Sequence, residues 1–331
     1  MKSRYGRPVY LAWAPFNRRA DSFASHFNAE LCLVHYFKYR SPEWALFKYP
    51  LMAAKTLAVL RKKRPGLVMA MSPPLFCAWI AHLFCALYGC KLVIDAHTGS
   101  LISFPWTMFR FLHKFLCKRA LLTIVTNDHL VRLVESWGGE TIIMNPPIDF
   151  PEAGKKRLKS NSILVVNTFA MDEPLDEILL AASNLPEVHF YVTGRVDGAQ
   201  GRRVRNAPDN VYFTDFIPYE EYVSMLKSVD VVLALTNRDF TLQSGGMEAM
   251  YMGKPLVTSR FPYLMSHFYQ GTLYAVPEAE DIAEKLLEAL KHRKKLSRQM
   301  ETMREAHSRD WEKKVQSVNE KWMMADMKQG G

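Results

Sequence analysis

The chain has 331 residues, of which 49% are hydrophobic and 23% are charged. This mixture excludes a disordered chain, a collagen-like protein and a small disulfide-stabilised protein, and the length predicts two domains or one large α/β unit. Charge favours two domains, because residues 1–150 carry 19 Lys and Arg against 8 Asp and Glu, whereas residues 151–331 carry 24 against 25. A basic excess confined to one half predicts that this half faces phosphorylated ligands, nucleic acid or an anionic membrane.

Short apolar runs alternate with helical stretches along the whole chain, which is typical of βαβ units and parallel sheets. The predicted strands are Pro8–Ala12, Leu31–His35, Leu67–Met71, Lys91–Asp95, Leu122–Thr126, Thr141–Met144, Ser162–Val166, Val188–Thr193, Asn210–Phe213, Val231–Leu235, Pro255–Thr258 and Thr272–Ala275. The helices predicted with definite bounds are Leu75–Tyr88, Leu175–Ser183, Tyr219–Ser228, Gly246–Met252 and Asp281–Lys291.

The proline-rich stretch Asn145–Pro151 breaks regular structure, and the basic segment Ala153–Lys159 that follows is typical of a linker. We therefore predict an N-terminal domain over residues 1–152 and a C-terminal domain over residues 153–305. Residues 306–331 form a predicted helical tail that packs back towards the hinge or the N-terminal domain. The predicted fold class is α/β, with two doubly wound Rossmann-like domains that face each other across a ligand cleft.

The cysteines and the apolar stretches indicate the cellular compartment of the protein. All five cysteines lie in the first half, in apolar contexts, without a CxxC pair or metal-ligand spacing. An odd count without a disulfide pattern predicts reduced, buried thiols and a reducing compartment. The longest apolar stretch, Leu75 to Ile94, is interrupted by His82 and Lys91, whereas a membrane-spanning helix needs about 20 mostly apolar residues. With no signal peptide visible, we expect a cytoplasmic protein.

One loop stands out as a candidate ligand site. Ser244, Gly245 and Gly246 follow a Val-Val-Leu-Ala-Leu strand and open a predicted helix. Glycine allows close backbone approach, and a helix N-terminus offers N–H groups and a positive dipole to a phosphate. Glu248, about one turn into the helix, has a carboxylate suited to ribose hydroxyls. The pattern fits equally well a capped helix start whose glycines serve tight packing.

The run from Ser244 to Val257, Ser-Gly-Gly-Met-Glu-Ala-Met-Tyr-Met-Gly-Lys-Pro-Leu-Val, resembles the donor-site signature of GT-B glycosyltransferases, especially the family-4-like group. The resemblance extends in order and spacing over Asn210–Pro277. It implies a nucleoside-diphosphate sugar as donor substrate, with no separate cofactor, and it assigns Glu248 to the ribose. The implied donor contacts also include the backbone at the phosphate and the backbone beside the base: Gln243, Ser244, Gly245, Gly246, Asp215, Phe216 and Ile217.

The sequence departs from that family pattern in its charged residues. The family commonly has a second Glu eight residues before the ribose Glu, and this chain has Phe240 there, beside Asp239. Arg195 and Arg238 are the candidates for the family's pair of phosphate-binding cations. No metal-ligand cluster or DxD-type pair is visible in the sequence, so we predict a metal-independent reaction in which arginines and helix dipoles stabilise the leaving diphosphate.

Candidate acceptor-side residues follow two strands of the first half. Asp95 and His97 are two residues apart at the end of a buried strand, so on a continued strand they project to one side as a catalytic base with its orienter. The alternative is that Asp95 caps the loop and His97 packs in a turn. Asn17, Arg18 and Arg19 lie in the loop after the first strand, where they suit an acceptor pyrophosphate or form a solvated basic loop.

Aromatic and cationic residues interleave in the segment Ser103–Arg119, as on helices that lie in a bilayer interface. Together with the cluster Arg61–Arg64 and four residues further upstream, the segment predicts a membrane-docking face on the basic half. The four residues are Trp44, Phe47, Lys48 and Tyr49. The alternative is that Phe109 and its helical neighbours face the core while the cations are solvated. Nucleic-acid binding is not expected, because no recognised motif accompanies the charge.

These patterns predict a glycosyltransferase that moves a sugar from a UDP- or GDP-linked donor to an acceptor. The expected acceptor is lipid-linked or an envelope or polysaccharide glycan precursor, on the inner, cytoplasmic face of an anionic membrane. Two alternatives remain open from the sequence: a nucleotide-sugar 2-epimerase of the same fold, and a non-catalytic, glycosyltransferase-like subunit that anchors at the membrane.

Overall fold

The computed structural model describes residues 6–36, 42–196 and 204–330. The chain divides into two compact units, Met1–Pro147 with Asp310–Gly331, and Ile148–Arg309. Each unit contains a six-stranded, all-parallel sheet with helices packed on both faces. The predicted fold class, two doubly wound Rossmann-like domains, is therefore confirmed.

The predicted strands all form, with ends shifted by no more than two residues. The strands are β1 (Val9–Ala12), β2 (Glu30–Leu33), β3 (Leu67–Ser72), β4 (Lys91–Ala96), β5 (Leu122–Val125), β6 (Thr141–Ile143), β7 (Ser162–Val165), β8 (His189–Thr193), β9 (Val211–Asp215), β10 (Val231–Ala234), β11 (Leu256–Ser259) and β12 (Thr272–Ala275). The helices that matter below are α1 (Arg18–His26), α2 (Ala45–Lys63), α3 (Leu75–Tyr88), α4 (Thr98–Ile102), α5 (Arg110–Arg119), α6 (Asp128–Ser136), α7 (Leu175–Ser183), α8 (Tyr219–Ser228), α9 (Ser244–Met252), α10 (Pro262–His267), α11 (Ala279–Lys291) and α12 (Arg293–Gly330).

In the first unit the strand order is β2-β1-β3-β4-β5-β6. Crossovers between parallel strands are right-handed, so connections that progress in one direction along the sheet put their helices on one face. The helices α2, α3, α5 and α6 follow this direction and share one face with one apolar cluster. The helix α1 belongs to the connection that runs the opposite way and packs on the other face.

In the second unit the strand order is β12-β11-β10-β7-β8-β9. The chain starts in the middle, at β7, proceeds outward through β8 and β9, and then returns to β10 on the other side of β7. The helices α7 and α11 pack on one face, whereas α8 and α9 pack on the other. The order of the strands thus reverses between β7 and β10, and at such a point the connecting loops diverge and leave a crevice.

The last helix, α12, begins in the second unit, and its residues from Asp310 onward belong to the first. Trp311 and Val318 are buried there, and Val315 and Trp322 pack beside them. The Trp311 ring meets Phe23 on α1 edge-on at 5.2 Å between centroids. The apolar face of this helix thus completes the core that α1 covers only in part.

No helix within residues 6–36, 42–196 and 204–330 is long and apolar enough to cross a membrane.

Replacement of Trp311 tests how much the first unit depends on this helix. Trp311→Ala leaves a cavity among the α1 rings, and such truncations cost about 3–5 kcal/mol of unfolding free energy. Urea unfolding followed by circular dichroism measures the loss. Met324→Ala removes an exposed side chain from the same helix, so we expect little change from that variant. Equal effects of the two substitutions would contradict the packing role.

Candidate active site

The crevice of the second unit is formed by the loops that follow β7 and β10. The helix α9 begins at Ser244 within this region, and no side chain caps its N-terminus. The first-turn amides of a helix have no intrahelical acceptor, so they are available to an anionic ligand, which the helix dipole also favours. The structure thus places Ser244, Gly245 and Gly246 where the sequence predicts a phosphate.

The two glycines are required by packing as well. A Cβ atom on Gly245 would lie 2.7 Å from the Cβ of Val166, which directly follows β7. A Cβ atom on Gly246 would lie 2.7 Å from Cζ of Phe268. The packing interpretation of this pair therefore holds: the absent side chains let α9 approach β7 closely, and that approach sets the helix N-terminus at the crevice. The phosphate contact stays a prediction.

Glu248 is buried on α9, and it is held by the neighbouring helix. The Tyr222 hydroxyl on α8 donates a hydrogen bond of 2.5 Å to Oε2 of Glu248. This bond helps to fix the orientation of the carboxylate, which can accept several hydrogen bonds. Sequence reasoning missed Tyr222, because nothing in its helical spacing distinguishes it from any other half-buried aromatic residue.

Gln243 contributes an unpartnered polar atom beside the start of α9. Its Nε2 donates to the carbonyl of Leu235 at 2.6 Å, which fixes the side chain. Its Oε1 is buried and has no hydrogen-bond partner among the described residues. Buried acceptors are nearly always satisfied, and an exception points to a ligand or to solvent. Gln243 therefore stays a candidate for ligand binding at this loop.

The loops after β8 and β9 meet because these strands are neighbours. The Arg195 guanidinium lies over the Phe216 ring, 5.2 Å from its centroid. The backbone N–H of Val196 donates to Oδ1 of Asp215 at 2.9 Å. Backbone hydrogen bonds from Val196 and Phe216 lower the pKa of the exposed Asp215 carboxyl. The predicted residues Arg195, Asp215 and Phe216, with Ile217 next to them, thus form one cluster.

Arg238 lies in the loop after β10, and its side chain is two-thirds exposed. Its Nε is 3.9 Å from Oδ1 of Asp172, which follows β7. Asp172 also accepts a hydrogen bond of 3.0 Å from the Thr236 hydroxyl. The two loops that flank the crevice are therefore joined by Asp172, and Arg238 stands at their junction.

Phe240 occupies the position where the resembling family has a second acidic residue. Its backbone is in the left-handed region, with φ 58°, and its side chain packs at the edge of the apolar cluster that contains Tyr263. The adjacent Asp239 accepts the N–H of Phe240 at 2.7 Å. The loop thus presents an aromatic ring in place of a carboxylate.

The Gly-Lys-Pro part of the signature has a structural role. Gly253 ends α9 in the left-handed conformation, with φ 66°. Nζ of Lys254 donates to the carbonyls of Lys227 and Val229, each at 2.8 Å, at the end of α8. Burial lowers the pKa of Lys254, and nearby Lys155 adds to this effect. Lys254 therefore ties α8 to the start of β11.

In the first unit, Asp95 is fully buried at the end of β4. The Arg19 guanidinium donates to both of its oxygens, with Nη2 2.7 Å from Oδ1 and Nε 3.0 Å from Oδ2. The Tyr10 hydroxyl on β1 donates to Oδ2 at 2.5 Å. Burial by itself would raise the pKa of Asp95, but Arg19 and the nearby His97 lower it well below its ordinary value. Asp95 is thus a fixed anion rather than a proton acceptor at neutral pH.

His97 follows β4, partly exposed. Its Nε2 is 3.7 Å from Oδ2 of Asp95, which is beyond ordinary hydrogen-bond distance. β4 ends at Ala96, and His97, which is still extended with φ −68° and ψ 150°, is the residue that precedes α4. The side chains of the predicted pair are thus neighbours, and His97 is the more accessible of the two.

The three residues Asn17, Arg18 and Arg19, where the loop after β1 meets the start of α1, have different roles. The Asn17 side chain accepts the Ala20 N–H at 2.8 Å and caps α1. Arg19 is committed to Asp95, and its Nη2 also donates to the carbonyl of Met144 at 3.0 Å. Arg18 is exposed at the surface. This loop is at the reversal of strand order between β1 and β3, the crevice position in the first unit.

No group of three or more His, Cys, Asp or Glu side chains that could hold a metal ion is present in the described part of the chain.

Substitution of Gly245 tests whether the packing of α9 against Val166 requires a residue without a side chain. Gly245→Ala places a methyl group against Val166, and such overpacking costs about 1–3 kcal/mol. The matched control is Gly154→Ala, whose added Cβ would meet nothing within 4 Å. Thermal unfolding should show a lower midpoint for the first variant alone. A Gly245→Ala protein as stable as the control would show that α9 does not need this close approach.

Asp95→Asn tests the buried ion pair. It removes the buried anion that pairs with Arg19, and removal of one member of a buried pair costs about 3–5 kcal/mol of unfolding free energy. Because the pKa of Asp95 is depressed in the folded state, its ionisation stabilises the fold above the ordinary carboxyl value of 3.8 and this contribution is lost as the pH falls below that value. The unfolding free energy of Asp95→Asn should therefore be lower than that of wild type at neutral pH, and the two values should converge only in acid. Exposed Asp128→Asn is the control, and a pH-independent difference between Asp95→Asn and wild type would contradict the assignment.

Residues 148–306 match the family described as glycosyl transferases group 1. No curated protein matches the sequence of this chain. Among solved structures, HepE from Anabaena superposes with a TM-score of 0.69 at 12% identity, over 96% of this chain and 99% of that chain. Sucrose-phosphate synthase from Thermosynechococcus elongatus gives 0.68 at 15% identity, over 98% and 97%. At these identities the superpositions establish a shared fold.

The family match falls on the unit that carries the Ser-Gly-Gly and Glu248 signature, and the structural likeness spans both units. The resemblance seen in the sequence is thereby confirmed: the chain has the two-domain GT-B fold of these glycosyltransferases, and its second unit contains a glycosyl transferases group 1 domain.

Proposed function

We propose that the second unit binds a nucleoside-diphosphate sugar, with UDP as the nucleotide. The observation that carries this proposal is the buried, tyrosine-held carboxylate of Glu248 one turn inside a helix that begins at the strand-order reversal. A carboxylate there suits two ribose hydroxyls, and the amides of α9 suit the phosphates. The choice of UDP is supported by HepE, which was solved in complex with UDP and glucose and with UDP-glucose.

The diphosphate leaves during transfer, so the site must stabilise its developing negative charge. The groups proposed for this task are Arg195, Arg238 and the N-terminus of α9, which are fixed donors or cations and act without a metal. The Oε1 of Gln243 supplies an acceptor for a donor hydroxyl or amide. Phe240 presents an apolar surface to the donor sugar where related enzymes place a carboxylate, so sugar recognition relies on other contacts.

On the acceptor side, we propose that His97 removes the proton from the attacking hydroxyl. The hydroxyl oxygen forms a bond to the anomeric carbon of the donor sugar, the bond from that carbon to the diphosphate oxygen breaks, and the proton passes to the imidazole. Asp95 is the positioning residue, because its buried negative charge favours the imidazolium that forms. Arg19 and Tyr10 keep Asp95 ionised and in place.

The proposed acceptor is lipid-linked, as a precursor of an envelope or polysaccharide glycan at the cytoplasmic face of a membrane. The net positive charge of residues 1–150 supports this choice, because pyrophosphate-linked lipids and the membranes that hold them are anionic. A 2-epimerase of the same fold would need neither this charge nor an acceptor. Detection of transfer by the isolated chain would also dismiss a purely anchoring role.

The donor and acceptor assignments are tested by two variants that affect different constants. Glu248→Ala should weaken UDP binding about tenfold or more, because it removes hydrogen bonds to a charged group. His97→Ala should leave UDP affinity unchanged and lower turnover about a hundredfold or more, the typical contribution of a general base. Calorimetry with UDP and GDP gives the affinities, and single-turnover assays give the rate.

The control is Glu284→Ala, which removes an exposed carboxylate from α11 of the same unit. Unchanged UDP affinity in Glu248→Ala would remove the ribose assignment. Tighter binding of GDP than of UDP would reassign the donor nucleotide. Unchanged turnover in His97→Ala would remove the acceptor-side base.

A further inference from the structure

Six large apolar side chains are more than half exposed around the starts of α2 and α5. They range from 51% to 85% exposed. They are Leu46, Phe47 and Leu51 on α2, and Phe104, Met108 and Phe111 before and at the start of α5. We name them the helix-start patch. Isolated exposed apolar residues are ordinary, but a cluster of this size marks an interaction surface.

Ring contacts show that the helix starts that carry the patch adjoin one another. Tyr49, in the second turn of α2, packs on Phe76 at the start of α3, with 5.5 Å between ring centroids. Phe76 in turn packs on Phe109, also at 5.5 Å. The starts of α2, α3 and the segment before α5 are therefore contiguous, as their right-handed connections require. Tyr49, Phe76 and Phe109 are partly buried against the core, and the six exposed members lie close to Tyr49 and Phe109 in the chain.

The charge around the patch is almost entirely positive. Residues 42–119 contain 11 Lys and Arg but only two acids, Glu43 and the buried Asp95. Four exposed cations, Arg110, Lys114, Lys118 and Arg119, lie on α5 itself. A second copy of the chain would bring like charges together, which opposes association. An anionic surface with an apolar interior complements both properties, and a phospholipid bilayer has both.

We propose that the helix-start patch docks this protein on an anionic lipid bilayer. Phe104, Met108 and Phe111 enter the boundary between headgroups and acyl chains, while the α5 cations lie at the level of the lipid phosphates. The segment from Thr98 to Phe109 follows His97 directly in the chain, so docking holds the proposed base at the interface, where the sugar of a lipid-linked acceptor is presented. In this last respect the inference rests on the proposed function.

The experiment uses flotation of the full chain with vesicles of phosphatidylcholine, with or without phosphatidylglycerol. We expect binding that requires the anionic lipid and weakens with added salt. A triple variant, Phe104→Ser with Met108→Ser and Phe111→Ser, should bind about tenfold more weakly or worse, because each side chain loses its apolar burial. The matched control replaces Met171 and Leu180, two exposed apolar residues of the second unit, with Ser and should bind as wild type.

A Lys114→Glu, Lys118→Glu variant provides a second route if the triple variant misfolds, and it should also lose anionic binding. Circular dichroism and UDP affinity confirm that each variant is folded. Absence of binding to anionic vesicles by the wild type, or equal binding by wild type and both variants, would overturn the proposal. A dimer in light scattering that the triple variant dissociates would overturn it too, because the patch would then cover a second copy.

The outcome is separable from that of the proposed function. Transfer to a water-soluble acceptor fragment reports the catalytic site without a bilayer. A docking-defective variant should keep that activity and lose transfer to an acceptor embedded in anionic vesicles. Loss of both activities, with the fold intact, would place the patch in the catalytic site and would overturn its assignment as a docking surface.

Discussion

Every functional feature of this chain depends on the pairing of parallel strands. Parallel pairing forces each connection to return to the same end of the sheet, and the right-handed crossover decides which face its helix covers. All strand-to-helix loops of a unit therefore gather at one edge. The reversal of strand order, between β7 and β10 in one unit and between β1 and β3 in the other, opens a crevice at that edge. The candidate residues lie in the loops around these two crevices.

Each unit contains a buried carboxylate that a tyrosine hydroxyl holds in place. A carboxylate lies out of water and a tyrosine hydroxyl from a different element donates to it: Tyr10 to Asp95 in one unit and Tyr222 to Glu248 in the other. Such buried polar groups must be satisfied, and a satisfied network holds its members in one geometry. Asp95 is in addition paired with Arg19, which keeps it ionised.

The donor signature combines residues with distinct physical roles. Gly245 and Gly246 allow close packing of α9, Gly253 ends that helix, and Lys254 ties it to its neighbour. Glu248 is the member whose chemistry addresses a ligand most directly. A signature of this kind is specific as a combination, because it encodes both the local fold and the contact. The helix-start patch, by contrast, arises from outward positions on helices whose inner faces build the core.

The alternation of apolar runs and the glycine and proline positions were sufficient to determine the α/β class and the strands from sequence, since these depend on local propensity and periodicity. They also placed a glycine-rich loop directly before a helix, where α9 begins. The sequence also determined that Asp95 and His97 are close. Only the tertiary structure decided that Arg19 neutralises Asp95 instead of serving as a free phosphate ligand, that Asn17 caps a helix, and that Tyr10 and Tyr222 hold the two carboxylates. These partners are separated by up to 85 residues along the chain. No local pattern encodes such contacts, because they follow from the order in which strands pair.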